Sequence, residues 1–287
     1  MKKTVYFTRT ITPEKVCELY KAVGKSLEGN VAIKVHSGEK GNQNFLKPDF
    51  WKPIIDKVGG TVIECNTAYE GERNTTEKHK KLMTEHGWDA ICKTHILDGD
   101  DPDTVLEIPD GRVIKKNYVG KGIEDYNSML VLSHFKGHPM GGFGGAIKQL
   151  SIGLASSYGK AYIHGAGDPK KLWSADHDSF LESMADAASS VTKLFDGNII
   201  YINVMKNMSV DCDCCAVAED PCIADIGMLA SDDPVAIDKA CIDLVYACDD
   251  KGKAHFLERI ESRNGTHTID AAAEMGVGSL DYELVEI

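Results

Sequence analysis

Two histidines, two lysines and a run of glycines lie together in residues 133–148, and no packed core needs that mixture. The imidazoles of His134 and His138 suit acid/base catalysis, because histidine titrates near neutral pH. The ammonium groups of Lys136 and Lys148 carry the charge that an anion needs. We therefore expect His138 and His134 to be catalytic and the two lysines to bind a cofactor or a substrate anion.

The glycines of this stretch precede a predicted helix at residues 147–154. Glycines in that position leave backbone N–H groups free to converge on an anion, and the helix dipole adds to the attraction. Their spacing matches neither the dinucleotide fingerprint nor the Walker phosphate loop, and a simple tight turn would also explain them. We expect anion or cofactor binding at Gly141, Gly142, Gly144 and Gly145.

A second candidate site is a cysteine-rich loop. Thiolate sulfur is a soft ligand, so zinc or an iron–sulfur cluster is expected at Cys212, Cys214, Cys215 and Cys222. Adjacent cysteines do not readily face one ion, so we expect two or three of the four to bind. Redox or catalytic thiols and a structural loop are the alternatives. Nearby carboxylates, Asp213 among them, would supply oxygen ligands or solvate the loop, and would raise the thiol pKa values.

The elements that position these loops alternate between strands and helices. Apolar runs predict strands at residues 5–8, 31–35, 61–65, 89–92, 128–132, 198–204 and 226–230. Caps and periodic apolar positions predict helices at 12–26, 48–58, 76–86, 147–154, 176–194 and 235–246, and a Pro-Asp-Gly turn predicts a hairpin over 104–116. The alternation predicts an α/β fold: a mainly parallel sheet with helices on both faces, in one domain over residues 1–287.

Three polar segments follow predicted strands of this sheet. Lys34 to Asn44 follow the second strand, Asn66-Thr67 follow the third, and the glycine-rich stretch follows the strand at 128–132. Open α/β sheets form their ligand crevices at the carboxyl ends of strands. We therefore expect the three segments to share one pocket.

The other histidines and cysteines have ordinary interpretations. We expect surface positions for His79, His86, His177, His255 and His267. We expect small buried side chains at Cys17, Cys65, Cys92, Cys241 and Cys248.

Composition narrows the choice of partner. The chain has 32 Lys and Arg against 44 Asp and Glu, and the formal net charge of −12 repels nucleic acids and anionic membrane surfaces. No apolar stretch approaches the roughly 20 residues of a membrane span, and the beginning of the chain lacks a signal-peptide pattern. We expect a cytoplasmic protein whose partner is a small anionic ligand near Lys136, Lys148 and Lys160, and we leave a homodimer open.

These motifs resemble those of an uncharacterised family known as domain of unknown function 362. The resemblance rests on residues 34–42, 64–67, 134–148, 211–214, 225–227 and 231–238. Many members of that family carry a ferredoxin-like insertion with C-x-x-C motifs after the position of Lys160. Residues 170–194 of this chain contain no cysteine, so no ferredoxin-like insertion is expected.

The run from His138 to Lys148 also resembles the pattern H-x-x-x-G-F-x-G-G-x-K of the nickel-dependent lactate racemases, with the glycines shifted by one position. The resemblance implies a fold like the N-terminal domain of those proteins. It further implies that Lys148 holds a nucleotide cofactor, that His164 binds nickel and that His138 exchanges a proton.

Together these observations predict an enzyme, racemase- or isomerase-like or redox-active, that uses a metal or nucleotide cofactor and acts by acid/base chemistry on a small anionic substrate. The alternative is an iron–sulfur or other metal-binding protein for electron transfer or scaffolding, with its function in the Cys212–Cys222 loop. A module that binds a small ligand without turnover is the third interpretation.

Overall fold

The computed structural model describes residues 2–99 and 103–287. Its strands in this range are β1 (Lys3–Thr8), β2 (Val31–Lys34), β3 (Thr61–Glu64), β4 (Thr94–Ile96), β5 (Asp103–Glu107), β6 (Lys116–Gly120), β7 (Ser128–His134), β8 (Lys136–His138), β9 (Gly142–Gly144), β10 (Ile199–Met205), β11 (Gly227–Ser231) and β12 (Tyr282–Glu286). Its α-helices are α1 (Pro13–Ala22), α2 (Pro48–Val58), α3 (Thr76–Glu85), α4 (Ala146–Leu150), α5 (Ser157–His164), α6 (His177–Leu194), α7 (Pro234–Ala247), α8 (Lys253–Ser262) and α9 (His267–Glu274).

Eight of the strands form one sheet in the order β12-β1-β11-β10-β7-β2-β3-β4. The neighbours from β10 to β4 are all parallel, as is the pair of β1 with β12. Only β11 runs against its neighbours in the described sheet. The predicted α/β class with a mainly parallel sheet is therefore confirmed, and β5 and β6 form the expected hairpin beside it.

Helices cover both faces of the sheet. On β7, Leu130 and Leu132 face a core that includes Leu19 of α1 and Ile54 of α2. The alternate residues Met129 and Val131 face a second core, built by residues of α4, α6, α7, α8 and α9. Continuous apolar strands are typical of parallel sheets that are buried on both faces.

Helix starts follow the predicted signals. Thr12 accepts a hydrogen bond from the Lys15 N–H (3.3 Å) and caps α1. Asp233 accepts from the N–H groups of Val235 (3.0 Å) and Ala236 (2.9 Å) and caps α7. In both cases a proline follows the cap, where the missing N–H costs nothing.

The strand predicted at residues 89–92 is wrong. Trp88–Ala90 forms a 3-10 turn, and the strand that pairs with β3 is β4. The reason is the Trp88 side chain, which is fully buried and donates from Nε1 to the Ser37 carbonyl at 3.2 Å. That anchor holds the segment in a turn before the chain reaches the sheet.

The surface position predicted for His79 is also wrong. His79 is fully buried, and its ring nitrogens lie 3.3 Å from Ser37 Oγ and 3.3 Å from Asn66 Oδ1. His255 is exposed as expected, whereas His86, His177 and His267 are half-buried. Among the other cysteines, Cys65 and Cys241 are buried and Cys17, Cys92 and Cys248 are half-buried.

No helix within residues 2–99 and 103–287 has both the length and the apolar character that crossing a membrane requires.

Candidate functional site

Four adjacent parallel strands, β3, β2, β7 and β10, end at the same edge of the sheet. From β2 the chain continues outward to β3 and β4, and later returns to the other side of β2 with β7. This reversal is the switch point at which open α/β sheets leave a crevice. A cavity of about 350 Å³ lies there, lined by the segments that follow these strands and by α4 and α5.

The polar lining of this cavity is mostly basic. It contains the side chains of Lys34, Arg73, Lys136, Lys148 and Lys160, the imidazoles of His36, His138 and His164, and the thiols of Cys214 and Cys215. The sequence-predicted residues His138, Lys148 and His164 therefore meet in one place. The three polar segments expected to share a pocket all contribute to it.

His138 is oriented by the glycine-rich loop. Its Nδ1 accepts hydrogen bonds from the N–H groups of Met140 (3.2 Å) and Gly141 (2.8 Å). These bonds assign the ring proton to Nε2. Burial, reinforced by the Lys148 charge, lowers the pKa of His138 from 6.5 to about 4. At neutral pH, His138 is thus a neutral ring whose Nε2–H is a donor.

His164 is in the opposite tautomer, with its ring proton on Nδ1. Its Nδ1–H donates to the Lys160 carbonyl in the preceding turn of α5 (2.8 Å), and its ring stacks on Phe180 with centroids 4.9 Å apart. These contacts assign the lone pair to Nε2. Burial lowers the pKa of His164 to about 3, and the Lys148 charge acts in the same direction. His164 is therefore a neutral acceptor, in the orientation that metal-binding histidines have.

The cysteine loop brings two of its thiols to His138. One ligand atom each of His138, Cys212 and Cys214 lies within 4.8 Å of the others. Lys148 Nζ lies 3.8 Å from Cys212 Sγ. A hydrogen bond from the Cys214 thiol holds the pKa of Cys212 well below its usual range, with help from Lys148 and Lys136. The expectation that nearby carboxylates would raise the thiol pKa values is therefore wrong for Cys212.

Cys222 lies apart from this group. Its N–H donates to the Met208 carbonyl (3.0 Å), and its Sγ lies 3.7 Å from the same oxygen. Burial raises the pKa of the Cys222 thiol. Cys215 lines the cavity but is not in the group with His138. The structure therefore assembles two of the four cysteines that were expected to bind metal.

His134 faces a buried carboxylate and not the cavity. Its Nδ1 lies 2.9 Å from Asp213 Oδ1, and its Nε2 lies 2.6 Å from the Lys206 carbonyl. Lys136 Nζ lies 3.0 Å from Asp213 Oδ2. Burial opposes ionisation of Asp213, but His134 and Lys136 lower its pKa well below the usual range. The catalytic role of His134 stays a prediction, and its contacts favour positioning the cysteine loop.

The backbone at the start of α4 is already occupied. Asp238 of α7 accepts hydrogen bonds from the N–H groups of Ala146 (2.7 Å) and Ile147 (2.9 Å). The expectation that this helix start would hold the anion is therefore not supported at these two groups. Gly144 and Gly145 do line the cavity, whereas Gly141 binds His138 and Gly142 contacts the chain after α8.

Sequence reasoning missed two buried ion pairs at the cavity. Lys34 Nζ lies 2.6 Å from Glu64 Oε2 with both side chains buried, and Arg73 Nε lies 3.1 Å from Glu39 Oε2. Burial opposes ionisation of Glu64, but Lys34 lowers its pKa well below the usual range. A lysine inside the apolar β2 strand was the available signal, because a buried ammonium group needs a partner.

The fold and the cavity define an α/β protein with a basic, thiol-containing site at the strand ends. The chain belongs to the family described as domain of unknown function (DUF362), whose model matches residues 31–243. This confirms the family expected from the motifs. A comparison with curated proteins gave no match.

Two solved structures are similar to this chain. One is a lactate racemase apoprotein from Thermoanaerobacterium thermosaccharolyticum, with 14% identity and a TM-score of 0.41, covering 69% of this chain and 50% of that one. The other is a protein from Thermotoga maritima, with 11% identity and a TM-score of 0.44, covering 91% of this chain and 58% of that one. The chain thus spans half the length of the first protein and 58% of the second. The likeness transfers no activity to this chain.

Proposed function

We propose that the protein is an enzyme that binds a small anionic substrate in the strand-end cavity and moves a proton there. One observation carries the proposal: two neutral histidines of opposite polarity, His138 and His164, face a single cavity lined by ammonium groups. Polar groups that converge in a well-formed cavity at the strand ends of a sheet are the usual mark of an active site.

Lysine side chains bind the anion in this proposal. Lys148 and Lys136 lie close together beside Gly144. A Cβ built on Gly144 would be 3.2 Å from Lys148 Cδ and 3.8 Å from Lys136 Cε. Lys136 is paired with Asp213, whereas the contact of Lys148 is the Cys212 sulfur. Lys148 is therefore the better placed of the two to bind an incoming anion.

The two histidines have different tasks in this proposal. The neutral His138 ring donates a hydrogen bond from Nε2–H that stabilises negative charge developing on the substrate, and the Nε2 lone pair of His164 accepts the proton that the substrate releases. Because both rings are neutral at physiological pH, the donor and the acceptor are ready at the same time. Environments that separate the roles of two titratable groups are typical of acid/base catalysis.

Calorimetric titration with inorganic phosphate and with acetate tests the anion site. We expect Lys148→Met to weaken the binding of both anions by at least about tenfold, since it removes a charge and keeps the side-chain length. Lys193→Met, at the exposed end of α6, is the matched control and should bind like the wild type. Equal binding by wild type and Lys148→Met would overturn the assignment.

We propose, as a second candidate function, a metal site at Cys212, Cys214 and His138, because their ligand atoms lie within 4.8 Å of one another. The sulfur donors suit zinc or an iron–sulfur cluster. His138 fits less well, because binding through Nε2 requires its proton on Nδ1, which faces two backbone donors. His164 has an available Nε2, which supports the nickel and nucleotide assignment of His164 and Lys148 as a further prediction.

Metal analysis of anaerobically purified protein tests this candidate. We expect stoichiometric metal that Cys212→Ser and Cys214→Ser each remove and that Cys222→Ser retains. Cys222 is the matched control, since it lies in the same loop and outside the group. Absorption near 400 nm would identify a cluster, and a colourless zinc protein would identify a zinc site. Equal metal content in all three variants would contradict the assignment.

A further inference from the structure

The outer wall of the cavity carries an unusually exposed aromatic side chain. Trp173 lines the cavity, yet 66% of its surface is exposed. Its ring contacts that of Tyr69, with centroids 6.2 Å apart and planes at 49°. Leu172, Met140 and Pro139 line the same cavity. Large apolar surface that remains in contact with water beside a cavity marks a place where a ligand covers it.

The inner part of the cavity has a different character. Lys136 and Lys148 converge beside Gly144, and the imidazoles of His138 and His164 face the same space. A ligand that fills both parts needs an anionic group at one end and an apolar body at the other. The cavity of about 350 Å³ is large enough for more than the anionic group alone.

We infer that the ligand is an organic anion that carries a flat unsaturated ring. Its anionic group binds Lys148 and Lys136, and its ring packs against Trp173 and Tyr69. Aromatic faces favour flat rings over saturated ones of similar size, because stacked and edge contacts add to simple burial. The inference rests on the proposed function, since it names the class of substrate for the same cavity.

Four carboxylates of graded shape test the inference by calorimetry: acetate, cyclohexanecarboxylate, benzoate and 1-naphthoate. We expect benzoate to bind about fivefold more tightly than cyclohexanecarboxylate, because the two have similar size and differ in flatness. We expect 1-naphthoate to bind more tightly still. Trp173 fluorescence provides a second signal, because Trp51 and Trp88 are buried at 2% and 0% exposure.

The Trp173→Ala variant locates the ring. We expect it to weaken benzoate and 1-naphthoate about tenfold, and to leave acetate binding unchanged. Because Trp173 is exposed, the variant should fold normally. Tyr158→Ala is the matched control, since Tyr158 is 49% exposed and lies outside the lining of the cavity. It should bind all four anions like the wild type.

The possible failures are distinguishable. If none of the four carboxylates binds to the wild type, both this inference and the proposed anion site fail. If acetate binds in a Lys148-dependent manner but benzoate and cyclohexanecarboxylate bind equally, the flat-ring inference alone fails. It also fails if Trp173→Ala weakens acetate as much as it weakens benzoate.

Discussion

Single side chains in this cavity take their chemical state from the backbone groups around them. His138 and His164 are the same residue type in the same cavity, but one accepts from backbone N–H groups and the other donates to a backbone carbonyl. The histidines thereby become a donor and an acceptor. Sequence alone identified both residues, but could not assign their polarity, because polarity depends on which backbone atoms the fold brings beside each ring.

Asp213 is the residue on which the position of the cysteine loop depends. Its carboxylate contacts His134 at 2.9 Å and Lys136 at 3.0 Å, and all three side chains are buried. Its backbone carbonyl also accepts from the Glu39 N–H at 2.9 Å. A buried charge cluster of this kind is costly to break, because the remaining charges lose their partner in a dry environment.

We predict that Asp213→Asn lowers the free energy of unfolding by about 3 to 5 kcal/mol, as measured by urea denaturation. The variant keeps the shape of the side chain and removes the charge that pairs with Lys136 and His134. Asp211→Asn is the control, since Asp211 pairs with Arg259 at 3.2 Å nearer the surface, and it should cost about 1 kcal/mol or less. Similar losses of unfolding free energy in the two variants would show that the buried cluster stabilises the protein no more than the Asp211–Arg259 pair does.

Among the structural elements, the short helix α4 is the one that presents Lys148 to the cavity. It has five residues, and its start is held by Asp238 of α7. The glycines before it allow close contacts with other parts of the chain. A Cβ on Gly142, whose φ is +76°, would lie 2.9 Å from Gly265 Cα and 3.0 Å from the Ile260 carbonyl oxygen. The glycine-rich loop is therefore packed against the end of α8.

We predict that Gly142→Ala destabilises the protein by about 1 to 3 kcal/mol more than Gly276→Ala. The two glycines have φ values of +76° and +74°, so both variants incur the same left-handed strain, but a Cβ on Gly276 meets nothing within 4 Å. Thermal unfolding of the two variants gives the comparison. Equal melting temperatures would show that the loop accommodates the added methyl group without loss of stability.

The raised pKa of Asp238, which holds the start of α4, makes the stability of the folded protein depend on pH. Burial raises the pKa of Asp238 from 3.8 to about 6, although the N–H groups of Ile147 and Ala146 oppose the shift. The folded state therefore holds this proton at pH values where the unfolded chain has released it, and folding loses stability as pH rises through this window.

Relative to Asp238→Asn, the wild type should lose about 2 kcal/mol of unfolding free energy between pH 4 and pH 7. Urea denaturation of both proteins at each pH removes the contributions of all other groups by subtraction. A difference that is constant across this range would contradict the raised pKa.

The fold of the whole molecule was more predictable than the contacts inside its site. Helix α2 begins and ends at the predicted residues, 48 and 58. The parallel order of the strands follows from the alternation of strands and helices along the chain. The segment around Trp88 was not predictable, because one buried indole overrides the local pattern. Asp238 and Asp213 were not assigned their partners either, since each bridges segments more than seventy residues apart.

At the scale of the whole molecule, one edge of the sheet connects segments from four strands, and a ligand in the cavity touches several of them at once. On the proposed function, a saturating concentration of benzoate should slow amide hydrogen exchange together in residues 35–46, 65–74, 135–148 and 206–226. Because benzoate binds the folded state and not the unfolded chain, it should stabilise the folded protein by about 2.7 kcal/mol at a concentration one hundred times its Kd. The β5–β6 hairpin, which lies outside the cavity lining, should show the smallest change in protection. Lys148→Met should show no slowing at the same benzoate concentration, and protection confined to one of the four segments would contradict a shared cavity.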